Sequence, residues 1–393
     1  MHLAPVTTRG SKCAVLLFFR WCLRLRTTEK AASMLGYLPQ FNLRQDVNGG
    51  PHPNRADGRG LRVMALVSAL AGAAWWLRPR HSSWIDPGPS TPSTPLALRV
   101  SGHGDVPVLL LHGLVGSSRF WSAGYDHLGD SCRVVAVDLL GFGRSPRPEH
   151  GYDLDHHVDA VLSTLDQLGI DNAVVIGAHS LGAVLAVALA ARTPERVAGI
   201  VMFGPAIYPS PTQARTSIKA SGAMSRLIAL DTPLAATLCA WTCAHRSWAA
   251  RLARIMRPEL PAEVARDSVQ HNWASYSGTM RNVIIDTNSA QLVTDAINAM
   301  TLIEPTGAVR PKMLMKIILG NRDKVSYRPT LERLATANSR LAIETWHGGH
   351  DLPIRHPKKC IAALVAMIEE THPDRAGHPQ PEHGYAVDMA TDI

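Results

Sequence analysis

The sequence predicts an α/β protein: a mostly parallel central sheet flanked by helices and interrupted by a helical insertion. Three observations carry this expectation. Short, nearly continuous apolar runs at 106–111, 133–138, 173–178, 197–203, 312–319 and 341–346 have the composition of strands covered on both faces. Segments with helical spacing lie between them, and strand–helix–strand repeats of this kind make right-handed crossovers to parallel neighbours. From Pro205 to Arg310 the alternation stops, and a stretch rich in Ala, Met and Trp with helical periodicity takes its place.

The chain has 393 residues, 46% of them hydrophobic and 18% charged, so one large domain with additions is expected. Residues 1–60 read as a poorly ordered N-terminal extension. Its first residues lack Asp and Glu, and carry Arg9, Lys12, Arg20, Arg24 and Arg26 around a short apolar run. That pattern fits a targeting segment and, equally, a stretch upstream of a later start such as Met64. Residues 61–78 read as a hydrophobic helix ending in Trp75, Trp76 and Arg78, the flanks of a membrane interface. The apolar run lies between the ~20 residues of a bilayer span and the roughly 7–15 of a signal peptide. A single N-terminal anchor, and membrane association through it, is the expectation; without it the chain would be cytoplasmic or secreted.

Residues 79–95 contain DPGPSTPSTP, which stiffens the chain and buries nothing, and read as a linker. The core is expected at 96–204 and 311–371, a helical cap at 205–310 and a disordered tail at 372–393. Within the core, 154–168 places Val158, Val161, Leu162, Leu165 and Leu168 on one helical face, and 181–192 is an alanine-rich helix stopped by Pro194.

The net charge of +8 is concentrated before position 81 and forms no stripe on a predicted face, which argues against nucleic acid as a partner. The cysteines Cys13, Cys22, Cys132, Cys239, Cys243 and Cys360 show neither a CxxC pair nor zinc-binding spacing. They read as packed thiols, with Cys239 and Cys243 able to share a helix face. With no phosphate-binding glycine loop and no metal cluster, no cofactor and no metal are expected.

The chemistry concentrates at AVVIGAHSLGAVLAVALA. It runs from a strand into a helix beginning near Leu181, with Ser180 at the turn. A nucleophile on so sharp a turn needs small neighbours, here Ala178 and Gly182. The helix directs its positive end at the site, and the Leu181 N–H can donate to a developing oxyanion. A serine at such a junction can also be a simple N-cap, so its companions matter. They are LLLHGLVGSS, with His112 and Gly113 directly after a strand, VDLLGFGRS, a late LGNRD and a late HGGHD.

Taken in order, these motifs resemble the α/β-hydrolase superfamily over roughly residues 96–370, and specifically its capped serine hydrolases of esterase or lipase type. Ala178 departs from the commoner first glycine of the turn, and Leu140 stands where many members have proline. The resemblance implies the α/β-hydrolase fold and a triad in the order serine, acid, histidine: Ser180, then Asp323, then His350. It also implies an oxyanion hole of the Leu114 and Leu181 N–H groups, with His112, Gly113, His179 and Gly182 in support. His112 and His179 are expected to hold loops by hydrogen bonds, and Asp138 and Arg144 to pin the turn after their strand. His347 and His356 are poorer candidates for the base, and Asp351 is expected to be exposed.

Serine at the turn excludes the aspartate-dependent dehalogenase and epoxide hydrolase chemistries of that superfamily. What remains is acyl transfer to water from a small-molecule carboxylic ester. Carbon–carbon bond hydrolysis or cofactor-free perhydrolase activity on the same triad stays open, as does a catalytically silent binding protein. Trp241, Trp248, Trp273 and Tyr276 suggest an apolar pocket for an acyl or alkyl group, although packing of cap on core is the simpler account of them.

Overall fold

The computed structural model describes residues 95–221, 233–302 and 314–373. The extension 1–60, the expected anchor 61–78, almost all of the linker and most of the tail lie outside the described residues. Among the described residues, no helix is long and apolar enough to cross a membrane.

Seven strands form one sheet: β1 (Leu98–Ser101), β2 (Val106–Leu111), β3 (Cys132–Val137), β4 (Val174–His179), β5 (Val197–Phe203), β6 (Met315–Gly320) and β7 (Leu341–Trp346). Their spatial order is β1-β3-β2-β4-β5-β6-β7, with β1 antiparallel to β3 and all other neighbours parallel. The central strands are buried on both faces, as continuous apolar runs require: every residue of VPVLLL and of VVIGAH is inside. Leu109, Leu111 and Ile176 point into one core layer, with the helices Leu154–Gln167, Leu181–Arg192 and Ser289–Leu302. Val108, Leu110 and Val175 point into the other, with Pro357–Thr371.

Three strand boundaries shift from expectation. The runs expected at 133–138, 173–178 and 312–319 are strands at Cys132–Val137, Val174–His179 and Met315–Gly320. Asp138 is therefore the first residue of the turn rather than the last of a strand. Its backbone N–H donates to the Ala97 carbonyl, one step beyond the Leu98–Val137 pair of the β1–β3 ladder, while its carboxylate is committed to the loop.

Strand order fixes where a site can form. The chain leaves β2 toward β3 on one side, and leaves β4 toward β5 on the other, while β2 and β4 are direct neighbours. The connections diverge there and open a crevice at the carboxyl ends of the two strands. Gly182, in the first turn of the helix after β4, lies so close to β2 that a Cβ on it would fall 2.4 Å from the Leu111 carbonyl oxygen. Backbone cannot yield as a side chain can. Gly182→Ala is therefore expected to destabilise the fold by about 1–3 kcal/mol, read as a lower urea midpoint at unchanged slope.

Between β5 and β6 the chain forms the helices Pro211–Ala220, Pro233–Ala244, Arg246–Met256, Ala262–Asp267 and Trp273–Thr279, a π-helical turn Met280–Ile285 and the helix Ser289–Leu302. The last of these packs Val293, Ala296, Ile297 and Met300 into the same core layer as the helix after β4.

Candidate active site

β4 ends at His179, and the chain turns at Ser180 with φ 53° and ψ −112° before entering the helix Leu181–Arg192. Among the described residues only Ser180 and Val115 are non-glycine positions with positive φ. Val115 is β-branched, for which φ 56° is costly by about 1–3 kcal/mol, and it follows the expected donor Leu114 directly. Both strained residues therefore border the same crevice.

Ser180, Asp323 and His350 are brought together from three strand ends. His350 Nε2 lies 3.0 Å from Ser180 Oγ, and His350 Nδ1 lies 3.0 Å from Asp323 Oδ2. An ionised carboxylate only accepts, so Nδ1 carries the proton and donates to Asp323, which leaves Nε2 to accept from the serine hydroxyl. The Asp323 side chain is only 2% exposed, and Val325 N–H (2.8 Å) and the Ser326 hydroxyl (2.9 Å) also donate to it. Burial pushes this carboxyl up, but the hydrogen bond and charge of His350, with Val325 and Ser326, outweigh burial and hold it well below the usual range. On His350, burial lowers the pKa, yet the hydrogen bond to Asp323 and the charges of Asp323 and Asp351 outweigh it and raise the imidazole above 6.5.

The supporting residues sit around this line. His112 Nδ1 donates to the Gly113 carbonyl (2.7 Å), and its Nε2 accepts the Leu139 N–H (2.9 Å), so both ring nitrogens are occupied in holding two loops. His179 donates from Nε2 to the His350 carbonyl (3.1 Å) and stacks on Phe120. Gly113 lies against the His179 ring and Ser180 Cβ. Among the described residues the Leu114 and Leu181 N–H groups have no acceptor. Asp138 Oδ1 accepts Ser118 N–H (2.6 Å) and its Oδ2 accepts Arg144 N–H (2.8 Å), which ties the loop after β2 to the loop after β3. Of the poorer histidines, His347 accepts from Arg322 (3.2 Å) and His356 is the N-cap residue of the last helix.

Asp351 is not exposed as expected. Arg257, from the end of Arg246–Met256, pairs with it at 2.5 Å and covers it, so a helix between β5 and β6 reaches the residue beside His350. A second tie is made by buried Asp267, which accepts from Ser117 Oγ (2.8 Å) and pairs with Arg119 (3.3 Å). Contacts between residues so distant in sequence leave no periodic or spacing signal.

Gly204 is a further site residue that sequence reasoning missed. It follows β5 with φ 53°, and a Cβ there would fall 3.0 Å from His350 Nδ1 and 3.1 Å from Asp323 Oδ2. Its only signal was a glycine–proline pair directly after a strand. Gly204→Ala is expected to displace the imidazole, lowering kcat by on the order of 10²-fold with little change in KM, as steady-state kinetics would read it.

A family model described as "Alpha/beta hydrolase family" matches residues 108–363. A "Probable lysophospholipase BODYGUARD 4" from Arabidopsis thaliana is 39% identical over 107 residues, covering 26% of this chain and 25% of that protein. The human "1-acylglycerol-3-phosphate O-acyltransferase ABHD5" is 34% identical over 107 residues, 26% of this chain and 30% of that protein. The chain thus matches about a quarter of the length of these relatives. Among solved structures, E-2-(acetamidomethylene)succinate hydrolase superposes with a TM-score of 0.52 at 20% identity, over 70% of this chain and 95% of that one. At that identity the superposition speaks for the fold alone. By its fold and by the span of that family match, the chain belongs to the alpha/beta hydrolase family.

Proposed function

We propose that the protein is a serine hydrolase that cleaves carboxylic esters through an acyl-enzyme, with Ser180 as nucleophile, His350 as general base and Asp323 as its orienting acid. The observation that carries the reading is the single imidazole bridging a serine hydroxyl and a buried carboxylate at 3.0 Å on each side. A neutral hydroxyl is a poor nucleophile; His350 takes its proton as Oγ attacks the ester carbonyl, and Asp323 stabilises the imidazolium. The oxyanion accepts from the Leu114 and Leu181 N–H groups, each worth about 3 kcal/mol of transition-state stabilisation. His350 then protonates the leaving alcohol, and water activated by the same base releases the acid.

A hydrophobic acyl or alkyl group is the proposed specificity. Trp248, Tyr276 and Met280 of the inserted segment are buried, Tyr276 and Met280 in the core layer of the helix after β4, and Trp241 packs edge-on against Trp248. The relatives named for lysophospholipid and acylglycerol chemistry support an acyl substrate. The test is turnover of p-nitrophenyl esters of graded chain length beside ring-fission diketones. Ester cleavage that rises with chain length supports the reading. Intact esters with cleaved diketones would replace it with carbon–carbon bond hydrolysis, and no turnover of either would favour a silent binding protein.

A further inference from the structure

Outside the site, and among the described residues, one cluster of nucleophilic side chains is unaccounted for. The helix Pro233–Ala244 places Cys239 and Cys243 on one face, with their sulfurs 3.9 Å apart. Cys239 Sγ is also 3.9 Å from His271 Nδ1, while the Cys243 thiol donates to the His271 carbonyl oxygen at 2.9 Å. Both cysteines are half-buried, whereas Cys132 and Cys360 are fully buried. The buried Nε of Arg246, three residues beyond Cys243, has no acceptor. We propose that Cys239 and Cys243 form a peroxide-reactive thiol pair, in which Cys243 attacks a hydroperoxide and Cys239 resolves the product to a disulfide.

Several features favour this chemistry. The two sulfurs are already 3.9 Å apart, but residues four apart on an α-helix have Cβ atoms about 5–6 Å apart against the roughly 3.5–4.5 Å a disulfide spans, so closing the bond requires this turn of Pro233–Ala244 to open locally. The positive charges of Arg246 and Arg147 act on Cys243, which favours a thiolate and disfavours a bound cation. A hydrogen bond from Cys239 and these charges bring the Cys243 thiol down to about 7 against the effect of burial. The bond from Cys243 to the His271 carbonyl opposes ionisation and is broken when the thiolate forms.

The step balances. The Cys243 thiolate attacks the terminal peroxide oxygen, the O–O bond breaks, and the departing alkoxide takes the Cys239 proton to leave as alcohol. Cys243 is then a sulfenic acid. The Cys239 thiolate attacks its sulfur, expelling hydroxide that is protonated to water. Two electrons pass from the two sulfurs to one hydroperoxide.

The test uses the full chain, hydrogen peroxide, a dimedone trap, alkylation of remaining thiols and peptide mass mapping, and needs no enzymatic activity. The expected result is loss of two hydrogens from the peptide holding both residues, on the order of tenfold faster than any oxidation of Cys132 or Cys360. Cys239→Ser should trap a sulfenic acid at Cys243, and Cys243→Ser should react far more slowly at Cys239; circular dichroism checks that each variant is folded. Oxidation of Cys243 no faster than that of the buried thiols, equal trapping in the two variants, or sulfinic acid at Cys243 with Cys239 still free to alkylate would overturn the proposal.

Discussion

Ser180→Ala is expected to lower ester turnover by about 10⁶-fold while leaving the unfolding midpoint close to that of the native chain. The variant removes only the atom that His350 faces at 3.0 Å. No cavity of consequence forms, because one oxygen is lost from a turn whose backbone is fixed by other bonds: Ser180 N–H to the Phe203 carbonyl, and Ala183 N–H and Ala206 N–H to the Ser180 carbonyl. A loss of that size corresponds to roughly 8 kcal/mol of transition-state stabilisation. Steady-state kinetics beside urea unfolding separates the two effects. A variant that keeps more than about a hundredth of native turnover would move the nucleophile elsewhere.

The second large effect is expected for Asp323→Asn, about 10⁴-fold in kcat. The surroundings dictate how the amide must sit. Val325 N–H and Ser326 N–H both donate to Oδ1, so the amide oxygen takes that place and the NH₂ group faces His350 Nδ1. The imidazole must then accept at Nδ1, which puts its proton on Nε2, toward Ser180, where no base remains. The pH profile carries a second signature. Asp323 raises His350 against the effect of burial, so the acid limb of kcat/KM in the native chain has its midpoint above 6.5. Activity requires the neutral imidazole and falls as pH drops through that midpoint. Without the carboxylate the favoured cation is lost, and the residual activity of the variant should persist to lower pH.

What the sequence disclosed divides by the kind of physics involved. Runs such as VPVLLL and VVIGAH declared buried parallel strands, because burial on both faces leaves no polar position. The edge strand Leu98–Ser101 gave no such signal, being four residues long and only partly covered. Ser180, Asp323 and His350 were singled out by the family resemblance together with their places a few residues beyond strand ends, where a parallel sheet gathers its loops. Gly204 and Ser326 were not, since their importance lies in what they touch across the crevice. Asp351 was misjudged for a related reason: its environment is supplied by Arg257, nearly a hundred positions earlier in the chain. Helical periodicity predicted that the segment around Ser289–Leu302 is helical, but a period identifies a face and says nothing of what that face packs on. Here it is the helix that follows Ser180.

The most direct measurement of the central claim is the position at which a fluorophosphonate attaches, read by mass mapping of the labelled chain. An activated serine is phosphonylated, whereas an N-cap serine with the same sequence neighbours is not. The account predicts one adduct, at Ser180, that disappears in His350→Ala as well as in Ser180→Ala. An adduct on another residue, or a Ser180 that stays unmodified in the folded native protein, would contradict it.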